Sequence, residues 1–293
     1  MDAGESLKQK KRAVDTALDS ILTRDGSVLS QAMRYAVLSG GKRFRPLLTL
    51  AAGESFGADQ KTVLPFACAI ELIHNYSLIH DDLPCLDNDD FRRGKPACHK
   101  AYGEDIALLA GDGLLTLAFE LMAGSSLKGQ AAGVRGEVII EVSRSAGVRG
   151  MIGGQMLDVT LTPEGISKEE FQSIIEKKTA SLILASVKTG ALLGQASLSQ
   201  MEAIYDYGKN IGLAFQTRDD ILDSEEDVSS SRVTRPNSIA VYGYEKTMER
   251  LERYISLAIA ALDRISLDTK ELIFLAAMLL KVKKGKENAK NTG

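Results

Sequence analysis

Tryptophan is absent from these 293 residues, aromatic side chains make up only 5%, and proline occurs 6 times. Ala, Leu, Ile, Glu and Lys fill the chain instead, in stretches punctuated by glycine, and that balance leans all-α. There is no excess of basic residues: the formal net charge is −3, which argues against general nucleic-acid binding. The 3 cysteines, Cys68, Cys85 and Cys98, form neither a CxxC pair nor an even framework, so a reduced, cytoplasmic setting is expected. Cys98-His99 finds no second pair at zinc-ligand spacing. No run reaches the ~18 consecutive apolar residues of a membrane span. No apolar stretch follows the N-terminal lysines, so no signal peptide is expected either. A lipid substrate would therefore be met from water or held in an interior tunnel.

Against these absences stands a hydrophobic content of 44%, enough for a sizeable core in one domain over 1–293. Helical periodicity recurs almost end to end, over 6–22, Ser27–Ser39, Phe44–Phe56, Thr62 to about Leu83, 103–122, 133–147, 150–160, 168–194, 199–223, 242–264 and 269–284. Gly40-Gly41 breaks the second from the third, and Pro84 is expected to end the fourth. No alternating runs bounded by hairpin turns occur, so strands are not expected. The pattern reads as one all-α bundle around two long central helices.

Two acidic clusters carry the chemistry. His80-Asp81-Asp82-Leu83-Pro84-Cys85-Leu86-Asp87 is answered far along the chain by Asp219-Asp220-Ile221-Leu222-Asp223. Asp219 and Asp223, four apart, share one helix face and repel unless a cation or ligand compensates them. Asp81 and Asp87, six apart, share no face of an ideal helix; unwinding at Pro84 would let Asp87 swing back beside Asp81. A few carboxylates with positions left for water and phosphate suit magnesium. Cations supply the rest of a diphosphate pocket. Gly40-Gly41-Lys42-Arg43-Phe44-Arg45 is a glycine turn into a helix start, where an anion is favoured. Arg92-Arg93-Gly94-Lys95 is either a solvated charge run or a phosphate clamp. His74 stands two turns up the helix from Asp81, either a core histidine or a ligand contact.

The segments GGKRFRP, IELIHNYSLIHDDLPCLDNDDFRRGKP, GGQMLD, KKTASLI and FQTRDDILD, in that order, resemble short-chain trans-polyprenyl diphosphate synthases, most of all bacterial farnesyl diphosphate synthases (geranyltranstransferases). The resemblance runs from Gly40 to about Asp223 and implies an all-α, isoprenoid-synthase-type bundle around a central cavity. It implies that Asp81, Asp87, Asp219 and Asp223 are metal ligands for three Mg2+ ions, and that Asp82 orients an arginine. Gly41, Lys42, Arg45, His74 and Arg93 would bind isopentenyl diphosphate, and Arg92 and Lys178 the allylic diphosphate. Lys178, Thr179 and Gln216 would be the catalytic groups, facing an allylic cation with their dipoles. Gln155 and Asp158 would be a polar pair lining the cavity, or equally a helix-cap network. The implied reaction is ionisation, condensation and elimination, with departing pyrophosphate as the base. Tyr76 and Ser77, just upstream of the first motif, would set chain length, the bulky Tyr76 favouring fifteen carbons. PCLDNDD also resembles plant geranylgeranyl diphosphate synthases, which keeps a twenty-carbon product open. A homodimer is expected from the resemblance.

One region departs from it. Synthases of this kind follow the second motif with a lysine-containing loop that closes over the diphosphate, whereas Ser224–Asn237 has neither lysine nor glycine. Arg232, Arg235 or Arg218 would have to compensate, with different geometry. The readings that compete are a class I terpene cyclase, which needs no second diphosphate site, and a regulatory partner subunit, which typically loses one aspartate motif.

Overall fold

The computed structural model describes residues 2–127, 131–161, 166–226 and 236–281. Helices dominate: α1 (Ala3–Ile21), α2 (Val28–Leu38), α3 (Phe44–Ser55), α4 (Gln60–Asp81), α5 (Cys98–Tyr102), α6 (Glu104–Gly124), α7 (Ala131–Ala146), α8 (Met151–Thr160), α9 (Lys168–Ile175), α10 (Ser181–Leu193), α11 (Leu198–Glu226), α12 (Ser238–Tyr242), α13 (Tyr244–Leu262) and α14 (Lys270–Met278). The two long central helices expected from the sequence are α4, of 22 residues, and α11, of 29. Local chemistry sets several starts. Asp59 caps α4 through the Lys61 amide, Ser27 caps α2, and Ser167 with Glu170 forms a reciprocal capping box at α9.

Two apolar clusters hold the bundle. One gathers α4 with α1, α2, α6 and α7 around Phe66, Ile70, Ile73 and Leu114. The other gathers α11 with α3, α10, α13 and α14 around Leu48, Tyr207, Ile211 and Leu275. Each fully buried large side chain contributes about 1.5–3 kcal/mol by leaving water. α3 packs on both α4 and α10, so the two clusters are joined across it. Gly190 makes one of these contacts possible, because a Cβ there would sit 2.3 Å from the Thr49 carbonyl oxygen.

Four expectations need correction. α4 ends at Asp81, earlier than Pro84 requires, because Leu83 and Asp82 already turn back onto the last helical carbonyls. Strands do occur: Phe91–Arg92 (β1) and Lys95–Pro96 (β2) form an antiparallel hairpin too short for an alternating pattern to reveal. The expected helix over 168–194 is interrupted at Glu176–Ala180 by a π-helical turn. Finally, α4 and α6 are each long and apolar enough, on average, to cross a membrane, although scattered polar residues interrupt their runs. The two helices pack on one another; the apolar window of α4 is 67% buried, whereas that of α6 is 33% buried and leaves Leu108 and Leu109 exposed.

Candidate active site

The C-terminal end of α4 and the second acidic motif on α11 face one another across a cavity of about 450 Å³. It is lined by Asp81 and, a turn or more deeper, Ser77 and Tyr76 from α4; by Gln155 and Met156 from α8; by Lys178 and Thr179 from the π turn; and by Gln216 and Asp219 from α11. A second chamber, of about 500 Å³, is lined by Gly41, Lys42, Arg43, Arg45, Glu71 and Arg93. Arg45, His74 and Phe215 line both, so the chambers meet at those side chains.

The chain does turn back after Pro84. The Asp87 amide donates to the Asp81 carbonyl at 2.8 Å, with Asn88, at φ 52, completing the turn on Leu83. Asp82, next to Asp81, points away into the protein and is 2% exposed. It accepts hydrogen bonds from Arg92, one of them from Nε at 2.9 Å. Burial pushes the Asp82 carboxyl up, and Arg92 pulls it back down. Asp82 thus fixes the arginine of the hairpin beside the first acidic motif.

On the opposite wall, burial pushes the Asp219 carboxyl up to about 6, with Asp223 adding to the rise and Arg218, Lys42 and Arg45 opposing it. Such a carboxylate is costly unless a cation joins it. Asp81 and Asp219 offer hard oxygen donors to one space, which fits magnesium. Among the described residues, no three His, Cys, Asp or Glu groups converge to hold an ion unaided. Of the four aspartates expected to be ligands, Asp81 and Asp219 line the cavity, whereas Asp87 and Asp223 are not among its lining residues.

The polar groups between the acidic motifs are tightly organised. Thr179 Oγ1 donates to Gln216 Oε1 at 2.6 Å, and Gln216 Nε2 donates to Asp220 at 2.7 Å. Asp220 also accepts from the Ser238 amide, so α12 steadies Gln216 through it. Lys178 Nζ donates to Asp158 at 2.6 Å, which places Asp158 behind the lysine. Both amide atoms of Gln155 are buried with no hydrogen-bond partner among the described residues, so Gln155 is not part of a cap network.

The π turn is the feature that sequence reasoning missed, and glycines carry its signal. A Cβ on Gly154 would lie 2.2 Å from the Lys178 amide nitrogen, and one on Gly212 would lie 2.6 Å from Ala180 Cα. α8 and α11 therefore clamp the turn by backbone contact, and such turns recur at functional sites. Gly154→Ala should displace Lys178 and Thr179 and lower kcat at least about tenfold, since overpacking of about 1–3 kcal/mol must be relieved by movement. Steady-state kinetics beside an unchanged far-ultraviolet spectrum would check this.

In the second chamber His74 is held neutral: burial and the surrounding Arg45, Arg93, Arg43 and Arg92 press its pKa well below the ordinary histidine value. Arg45 is 7% exposed, lies over the Phe215 ring at 5.5 Å, and has an Nε with no partner among the described residues. Arg93 reaches the Gly40 carbonyl and lies against Gly41, where a Cβ would come 3.1 Å from the guanidinium carbon. Of the substitutes considered for the missing loop lysine, Arg232 and Arg235 lie outside the described residues, and Arg218 extends toward Asp219 at 3.5 Å.

An all-α bundle with acidic motifs facing across an apolar cavity, and a cationic chamber adjoining it, is the architecture of an enzyme that joins diphosphate-bearing substrates. The polyprenyl synthetase family model matches residues 26–232, and the chain belongs to that family. It is a transferase of the trans-prenyl synthase kind. It is 40% identical over 286 residues to the farnesyl diphosphate synthase of Geobacillus stearothermophilus, covering 93% of this chain and 95% of the relative. It is also 42% identical over 262 residues to geranylgeranyl pyrophosphate synthase 9 of Arabidopsis thaliana, covering 84% and 72%. Among solved structures, an FPP/GFPP synthase from Zymomonas mobilis superposes with a TM-score of 0.85 at 33% identity, covering 95% of this chain and 98% of that one. Enzymes of the family generally use Mg2+.

Proposed function

We propose that this chain condenses isopentenyl diphosphate with dimethylallyl and then geranyl diphosphate to give farnesyl diphosphate and pyrophosphate. The observation that carries the fifteen-carbon product is Tyr76, 5% exposed and set in the wall of the apolar cavity below Asp81. Arg92 and Lys178 grip the allylic diphosphate. Lys42, Arg45, Arg93 and neutral His74 hold isopentenyl diphosphate in the adjoining chamber. Asp81, Asp87, Asp219 and Asp223 would hold three magnesium ions; bound there, the metal neutralises charge on the leaving diphosphate.

As that bond breaks, the oxygens of Thr179 and Gln216 and the Lys178 carbonyl face the allylic cation. Apolar walls from Met151, Ile152 and Val159 keep water from it. The isopentenyl double bond attacks, and the departing pyrophosphate accepts the proton. No side chain in the cavity is needed as a base.

The working unit is proposed to be a cytoplasmic homodimer. Leu108 and Leu109 of α6 are exposed apolar side chains that a second copy would cover. Light scattering should then give twice 31.6 kDa. The decisive test is incubation with isopentenyl diphosphate, magnesium and each allylic primer, with products separated by carbon number. A dominant fifteen-carbon product is expected. Twenty carbons would move the assignment to geranylgeranyl diphosphate synthesis, and no condensation would overturn the reading.

A further inference from the structure

Four cations, Lys42, Arg43, Arg45 and Arg93, line the second chamber, and among the described residues lining it the one acidic side chain is Glu71. Glu71 is 1% exposed, on the face of α4 that also carries His74 and Asn75. Its carboxylate accepts from Arg43 Nη1 at 2.8 Å and from Asn75 Nδ2 at 3.3 Å. Arg43 is itself 3% exposed and stands at φ 53, a left-handed conformation unfavourable for a non-glycine residue. It is kept there by three acceptors: Glu71, Asp15 at 2.8 Å and the Val37 carbonyl at 2.7 Å. Asn75, 2% exposed, turns its oxygen toward Arg93 at 3.5 Å, and Arg93 in turn reaches the Gly40 carbonyl. The arrangement is continuous: a buried carboxylate on α4 anchors the residue after Lys42 on one side and the hairpin arginine on the other.

We propose that Glu71, acting through Arg43 and Asn75, is a positioning residue that sets Lys42 and Arg93 at the spacing the second diphosphate requires. This rests on the chamber being the isopentenyl diphosphate site. Glu71 touches no substrate in this scheme. Its charge also opposes the mutual repulsion of the arginines, since Arg45 and Arg93 both feel it as their foremost favourable charge.

Two mechanisms predict opposite signs for Glu71→Gln. If Glu71 only lowered the positive field, its neutralisation would tighten diphosphate binding. If it positions the cations, its loss lets Arg43 and Arg93 splay, and binding weakens. The expected result is a rise of about tenfold or more in KM for isopentenyl diphosphate, equivalent to about 1.4 kcal/mol, with KM for geranyl diphosphate changed less than about threefold. Arg43→Met should give the same split, and the double variant should be no worse than the more damaged single one, because both cut one link. Should either substitution prevent folding, Asn75→Ala removes the link from Glu71 to Arg93 but leaves the Glu71–Arg43 pair in place, and should raise the same KM by a smaller factor. An unchanged or lower KM for isopentenyl diphosphate, or an equal loss in both KM values and kcat, would overturn the inference. A wild-type protein that shows no saturable condensation would overturn the functional reading, and the inference with it.

Discussion

Asp219→Asn is expected to lower kcat by about a thousandfold, equivalent to about 4 kcal/mol of transition-state stabilisation, and at the same time to raise the thermal midpoint at pH 8. Both effects follow from one placement. The carboxylate lies in the cavity wall with its pKa raised to about 6 by burial and by Asp223, against the pull of Arg218, Lys42 and Arg45. Its folded-state pKa lies above the unfolded value, so ionisation costs folding energy at any pH above about 6. That cost fades as pH falls through 6 toward the unfolded value near 4. About a third of the side chain remains exposed, so screening leaves a penalty on the order of 1 kcal/mol, or about 2 °C in a domain of this size. The amide removes the charge and with it both the penalty and the proposed anionic metal donor. Calorimetric scans should show the full gain at pH 8, about half of it at pH 5 and almost none at pH 3. Adding Mg2+ with inorganic pyrophosphate should raise the wild-type midpoint more than the variant's. A midpoint that fell at pH 8 would show that Asp219 is already compensated by its arginines.

Much of this site was legible because charge patterns outlast structural detail. Two acidic motifs on apolar helices, and cations after a glycine pair, needed only helical spacing and the chemistry of anions to be read as a diphosphate site. The turn that brings the Asp87 amide to the Asp81 carbonyl could be read from the break at Pro84. What stayed hidden is where backbone conformation departs from its local preference. Nothing in EKKTAS announces a π turn; its cause lies in Gly154 and Gly212, on other helices that approach it too closely for a Cβ. The left-handed Arg43 is likewise held by Asp15, Glu71 and Val37, three partners scattered along the sequence. Ser224–Asn237, which departs from the lysine-containing closing loop of similar synthases, falls mostly on residues outside those described. The membrane question shows the same limit in reverse: counting consecutive apolar residues missed two helices whose average is apolar enough to span, and packing determines how that surface is used.

Tyr76→Ala should move the main product from fifteen carbons to twenty or more, with isopentenyl diphosphate consumed at a rate within about fivefold of wild type. The Tyr76 ring lines the cavity on α4, between one and two turns before Asp81. Its hydroxyl is buried without a hydrogen-bond partner among the described residues, and burial with the nearby Asp81 pushes its pKa up to about 12. The ring thus serves as apolar bulk, and no polar network has to be broken to remove it. Because the ring faces a cavity, truncation should cost less than the ~3–5 kcal/mol typical of a packed aromatic core residue. His80, one turn nearer Asp81 on α4, meets the Tyr76 ring edge-on at 5.7 Å, its Nε2 donating to the Leu108 carbonyl at 3.0 Å. A Cβ on Gly111 would fall 2.1 Å from that nitrogen, so α6 holds the imidazole firmly. Both rings line the cavity, so both bear on the length of chain it accepts. If Tyr76→Ala still stops at fifteen carbons, His80 is the stop, and His80→Ala with Tyr76 intact should lengthen the product. If Tyr76→Ala yields twenty carbons and Tyr76→Ala with His80→Ala yields more, both rings limit the chain, each by about one five-carbon unit.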